Sequence, residues 1–393
     1  MPDTRKSSHD TRRARPLDGL RGVAACAVVF YHAILHNDLS LIDRVLYQPL
    51  QAVATAGDTL TKFALICLNG EVAVLVFFVL SGCVLRLSLE SRGAEPAWSL
   101  CMRFAAARAF RLYPPVIVCM VLFYGIGILG IPGYPVFTLH TTLANAALWS
   151  TLMHGPSTTV QAELMAVPFI LTAWLLRRRL GIGLLGLALV YSILAIEDAR
   201  MVFHLPNMHG YLFAFIAGML VAEPMLQPVI AAAPAGTWWV VLVGLVFCRT
   251  FMPHSSISSL IAVGLSAAIL VAGLLHGRRG SLAALLERPI VQALGRVSFS
   301  FYLLNVPTLY LIWAFTDRWP WPTHHALEAG LVGGALSIAL TWPLAWASER
   351  WVERPSIAGG HRVWSGFRVD RMGRWNSPDG VAAAQTVATT VVS

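Results

Sequence analysis

The sequence predicts an all-α membrane protein: a polytopic bundle of about ten transmembrane helices with both termini in the cytoplasm. Three observations predict it. Of 393 residues, 56% are hydrophobic and only 12% are charged, about half the charge of an ordinary soluble domain. Mean hydropathy is +0.65. The apolar residues also gather in runs near the ~20 residues that a bilayer demands of a helix. So few charges cannot cover a soluble fold of this size. The same figures exclude a disordered chain, a disulfide-rich secreted protein and a soluble nucleic-acid binder.

In chain order the candidate spans are 20–36, 68–87, 113–131, 161–177, 180–196, 208–222, 237–251, 257–275, 292–315 and 328–348. The first holds Tyr31 and His32 and lacks a small-residue cleavage exit, so it reads as a helix that stays in place and not as a signal peptide. The third opens at the arginine-rich segment ARAFRLYPP, whose helix is expected to end before Pro114. The fourth and fifth are separated by Arg177–Arg179. The apolar segments 50–67 and 141–153 read as interfacial helices or parts of re-entrant loops. The chain thus divides into a basic tail over 1–16, a membrane domain over 17–356 and a flexible cytoplasmic tail over 357–393.

Orientation follows from the basic residues. With the N-terminus inside, only Arg44, Lys62, Arg200, Arg249 and Arg318 of the 29 Lys and Arg fall outside. Moving the frame by one helix destroys that asymmetry, so the net charge of +9 reflects topology and not an anionic partner. Most of the six cysteines lie in apolar runs and no C-x-x-C occurs, which argues against metal or redox use.

Ionisable groups inside a membrane are costly and each is a functional candidate. Arg21 and His32 are 11 residues apart, about 20° past three full turns, so they share one helix face at a rise of ~16 Å. A histidine there can serve as a general base; it can equally be a packed histidine below which Arg21 is a plain anchor. Arg108 and Arg111, three apart, lie near one another on a helix end. Two guanidiniums there either clamp a phosphate or anchor the topology. Glu163 in QAELMAVPF needs an arginine, a histidine or a substrate hydroxyl as partner, unless it is a solvated helix start. Glu71 poses the same question. His36, His140, His154, His204 and His209 fall on the outer side without metal-ligand spacing and read mostly as interfacial. Ser81 in FFVLSG has no base nearby in sequence and reads as helix packing.

These residues resemble one family. LDGLRGVAACAVVFYH, FFVLSGCVLRLSL over 77–89, RAFRLYPP over 108–115, QAELMAVPF over 161–169, LGRVSFSFYLLNVP over 294–307 and ERWVERPS over 349–356 resemble, in order, the markers of the acyltransferase-3 family of integral membrane O-acyltransferases, of the O-antigen and exopolysaccharide acetyltransferase kind. The chain departs at Asn305, where the family usually has His, and lacks the aromatic residues that often follow the acid of Glu163. The resemblance implies transfer of an acyl group, usually acetyl, from cytoplasmic acyl-coenzyme A to a hydroxyl of a cell-surface or lipid-linked carbohydrate at a bacterial inner membrane. It implies His32 as general base, Arg21 and Glu163 as catalytic partners, and Arg108 and Arg111 as binders of the donor. It implies acyl-coenzyme A as a substrate with no permanently bound cofactor, no metal and no nucleic-acid partner. A transporter or flippase for a glycosylated or anionic substrate is the alternative that polar residues on several spans also suit.

Overall fold

The computed structural model describes residues 4–91, 96–251, 256–318, 325–365, 368–369 and 375–376. Their regular structure is helical apart from a two-residue antiparallel pairing of Arg368–Val369 with Trp375–Asn376. The helices are α1 Thr4–Asn37, α2 Ala56–Cys67, α3 Gly70–Glu90, α4 Ala97–Ile128, α5 Leu139–Ala146, α6 Pro156–Leu180, α7 Gly183–Leu194 and α8 Met208–Val221. They continue with α9 Gln227–Ala232, α10 Thr237–Phe247, α11 Ile257–His276, α12 Ser281–Leu286, α13 Pro289–Thr316, α14 Ala326–Ser348 and α15 Arg354–Ser365. The expected tail boundary at 356 falls inside α15. Beyond Ser365 the flexible-tail expectation lies outside the described residues, save for the short strand pair.

Among the described residues, seven helical stretches are long and apolar enough to cross a membrane, or eight if the bent pair Met208–Val221 and Pro224–Ala232 counts as one. Sequence had suggested ten. The two remaining segments form helices of 12 residues in α7 and 11 in α10, about 18 and 17 Å long against ~30 Å of hydrocarbon. Hydropathy ran through the turns that flank them. The segment 50–67 contains α2, which runs into α3 as one apolar stretch, Ala56–Glu90. The break between them is set by Asn69, whose side chain accepts from the Val72 amide at 3.0 Å and caps α3.

The helix expected to stop before Pro114 does not stop. α4 runs through Pro114 and Pro115 to Ile128. A membrane helix tolerates a proline because neighbouring helices and side chains satisfy the freed carbonyls. Arg108 and Arg111 therefore sit within a continuous helix and not at its end.

α1 is central and packs on α3, α13 and α14. Small residues let the backbones approach. A Cβ on Gly22 of α1 would meet the Gly295 amide nitrogen of α13 at 2.7 Å. On α3, a Cβ on Gly82 would overlap the carbonyl oxygen of Phe215 in α8. The 68° bend after α8 is closed by buried ions. Arg86, 1% exposed, pairs with Glu223 at 2.7 Å. Arg177 grips both Glu223 oxygens, at 3.0 and 2.9 Å, and Trp174 donates to Glu90 at 3.1 Å. The buried Glu223 is thus met by two arginines, and the exposed Glu90 lies 3.5 Å from Arg177, so the buried charges are paired.

Gly82→Val should force α3 from α8 and lower stability by about 3 kcal/mol, the upper part of the overpacking range. Thermal unfolding in detergent measures it; an unchanged midpoint would mean that the two backbones are not this close.

Candidate active site

Five helices enclose a cleft of ≈ 60 Å³. Arg21 enters from α1; Phe77, Phe78 and Ser81 from α3; Arg111 from α4; Thr159, Val160 and Glu163 from α6; Ser298, Phe299 and Tyr302 from α13. One wall is cationic and polar, and the other is aromatic.

Glu163 is the junction. Its Oε1 accepts from Ser81 Oγ at 2.8 Å and from Arg108 Nη2. A serine inside a helix usually bonds the carbonyl four residues back; Ser81 reaches across to α6 instead. Arg108 is 5% exposed and is committed to Glu163, while Arg111 faces the cleft. The two arginines, read from spacing as a matched pair, thus have different environments. Glu353, buried in the ERWVERPS segment, accepts from Ser300 Oγ at 3.2 Å and lies in the field of Arg111 and Arg21. Ser81, Tyr302 and Glu353 are site residues that sequence reasoning missed. Only their positions inside the marker segments hinted at them.

His32 does not line the cleft. It sits three turns beyond Arg21, exposed, with its ring edge-on to Tyr31 at 5.6 Å. Between the two, Ala24 and Val28 of α1 pack with Ala73 and Tyr302, and Phe77 closes against them. Phe77 and Tyr302 meet edge-to-face, centroids 5.3 Å apart. An apolar cluster thus occupies the face of α1 between Arg21 and His32. Glu71 is likewise met, by Tyr31 at 3.4 Å and by Arg249.

The family model described as an acyltransferase domain matches residues 16–347. The chain belongs to the acyltransferase-3 family. No curated protein and no solved structure matches it. Membership makes this helical chain a membrane acyltransferase. The cleft draws on the first five of the segments that carry the likeness.

The acyltransferase's α13 also explains two polar residues that do not face the cleft. Pro307 has no N–H, so the Leu303 carbonyl four residues back has no helical partner. His154 Nε2 donates to it at 2.9 Å and Cys119 Sγ at 3.4 Å. Ser157 Oγ holds His154 Nδ1 at 2.8 Å, which assigns the Nε2–H tautomer. His154 had read as interfacial; it is 0% exposed, because the kinked helix needs its proton inside. Asn305 donates to the Phe301 and Tyr302 carbonyls at 3.2 and 2.5 Å. The position where relatives carry His here braces the backbone that presents Tyr302.

His154→Ala should cost about 1–3 kcal/mol, the price of an unmet buried acceptor. In a Pro307→Ala background the restored amide can meet Leu303, and the cost should shrink. Chemical unfolding of the four proteins gives the coupling; strictly additive costs would exclude the carbonyl as the link.

Proposed function

We propose that this acyltransferase moves an acyl group, acetyl in the first instance, from cytoplasmic acyl-coenzyme A to a hydroxyl of a cell-surface or lipid-linked carbohydrate at a bacterial inner membrane. The observation that carries the reading is the cleft that joins Arg21, Arg111 and Glu163 from three helices in a chain of this family. Both ends lie in the cytoplasm on the positive-inside count. With the bent pair counted as one span, eight crossings and ten give the same parity, so this orientation is the same whether α7 and α10 both cross or neither does.

Arg111 and Arg21 face the cleft and suit the phosphates of the anionic donor. Arg108 pairs with Glu163 and fixes it, so that the carboxylate can orient hydroxyls without being itself a lone buried charge. His32, exposed and free of hydrogen bonds among the described residues, takes the acceptor proton. The acceptor oxygen forms the new C–O bond, the thioester C–S bond breaks, and the proton passes through the imidazole to the leaving thiolate. Acyl-coenzyme A is a substrate, and no resident group is invoked.

The test is thiol release from acetyl-coenzyme A by inverted membrane vesicles of the native host with and without the chain, alongside mass spectrometry of the acylated glycan. His32→Ala should lower transfer by about 10²–10⁴ with insertion unchanged; activity within a few-fold of wild type would remove His32 from the mechanism.

The two arginines should separate. Arg111→Lys should raise KM for acyl-coenzyme A, because an ammonium keeps the charge and loses the planar fork. Arg108→Lys should instead lower thermal stability, because its partner is Glu163. Equal donor KM effects from both would restore a shared clamp and refute the division of roles.

A further inference from the structure

The acyltransferase reading places the donor at Arg21 and Arg111 and the acceptor at His32, and the inference here rests on it. These sites share one face of α1 and lie ~16 Å apart along the axis. The plug of Ala24, Val28, Ala73, Tyr302 and Phe77 stands between them. The direct path along this face of α1 from Arg21 to His32 runs through this layer.

The layer has few parts that can yield. Ala24 and Ala73 are buried and carry only a methyl each. Val28 is wholly packed. Tyr302 is held at both ends: Thr159 Oγ1 lies 3.2 Å from its hydroxyl, and Asn305 binds its carbonyl. Phe77 is different. It has no polar atom to tether it, it is only partly buried, and it borders both the cleft and the plug. Its terminal torsion is of the broad kind that turns readily.

We propose that Phe77, closing on the fixed ring of Tyr302, is the filter that sets acyl length. When the ring of Phe77 turns toward the cleft, the gap left against Tyr302 is that of one side chain between packed helices. A two-carbon acyl group passes, and each further methylene meets close-packed neighbours. A single methylene at a tight apolar site discriminates by about 10–200-fold. Phe77 is thus a specificity-determining residue and not a catalytic one.

The test uses the full chain in host membrane vesicles with acetyl-, propionyl-, butyryl- and hexanoyl-coenzyme A, reading thiol release and glycan acylation. Wild type should prefer acetyl. Phe77→Ala should raise the butyryl-to-acetyl ratio of kcat/KM by about tenfold or more, with Phe77→Leu between. Phe77→Leu, which holds most of the volume, carries the test if the alanine variant does not fold. An unchanged ratio in a folded Phe77 variant, or a wild type indifferent to chain length, overturns the filter and leaves the acyltransferase reading standing. A wild type that releases no thiol from any of the four esters overturns the reading itself, and the filter with it.

Discussion

A carboxylate inside an apolar bundle must be met by a cation or stay protonated, and Glu163 is met by Arg108. That pairing ties α4 to α6. Ser81 adds α3 through the same oxygen. With three helices tied at one atom, the remaining polar groups, Arg21 from α1 and Arg111 from α4, are turned into a shared cleft. Removing either ion of the pair would leave the other buried alone, a cost of several kcal/mol. The junction is therefore structural and chemical together.

The same logic of compensation recurs wherever the bundle departs from a regular helix. Pro307 frees a carbonyl, and His154 and Cys119 meet it. α8 breaks before Glu223, and two arginines meet the buried acid there. Buried Lys62 donates to the carbonyls of Val45, Leu46 and Gln48 at 3.0, 2.7 and 2.8 Å, where an irregular turn over Ile42–Leu46 ends. In lipid there is no water to take up such groups. Each irregularity must bring its own partner, and those partners account for much of the polar content inside the bundle.

Close packing then decides what can move. Glycine lets α1 and α13 touch, and α3 and α8, so the frame around the cleft is backbone against backbone. What remains adjustable are side chains without polar tethers. This is why an aromatic ring at the head of the cleft is a better candidate for a moving part than any helix.

Much was legible in the sequence, for physical reasons. Hydropathy showed the membrane class and most spans, since burial in lipid is a property of local composition. Periodicity put Arg21 and His32 on one face, since that depends only on the turn of one helix. The family markers were legible because they are local strings. What tertiary structure alone decided concerns groups far apart in the chain. Ser81 and Glu163 are 82 residues apart, and nothing near Ser81 announces its partner. Arg108 and Arg111 are alike in sequence, yet only the position of α6 assigns one to Glu163 and the other to the cleft. His154 looked interfacial because the carbonyl that needs it lies 149 residues on. The number of full crossings also escaped, because hydropathy records apolar composition and not where a helix ends. Local composition determined that this chain enters the membrane; which charges meet there was decided by the packing of helices, which no local string encodes.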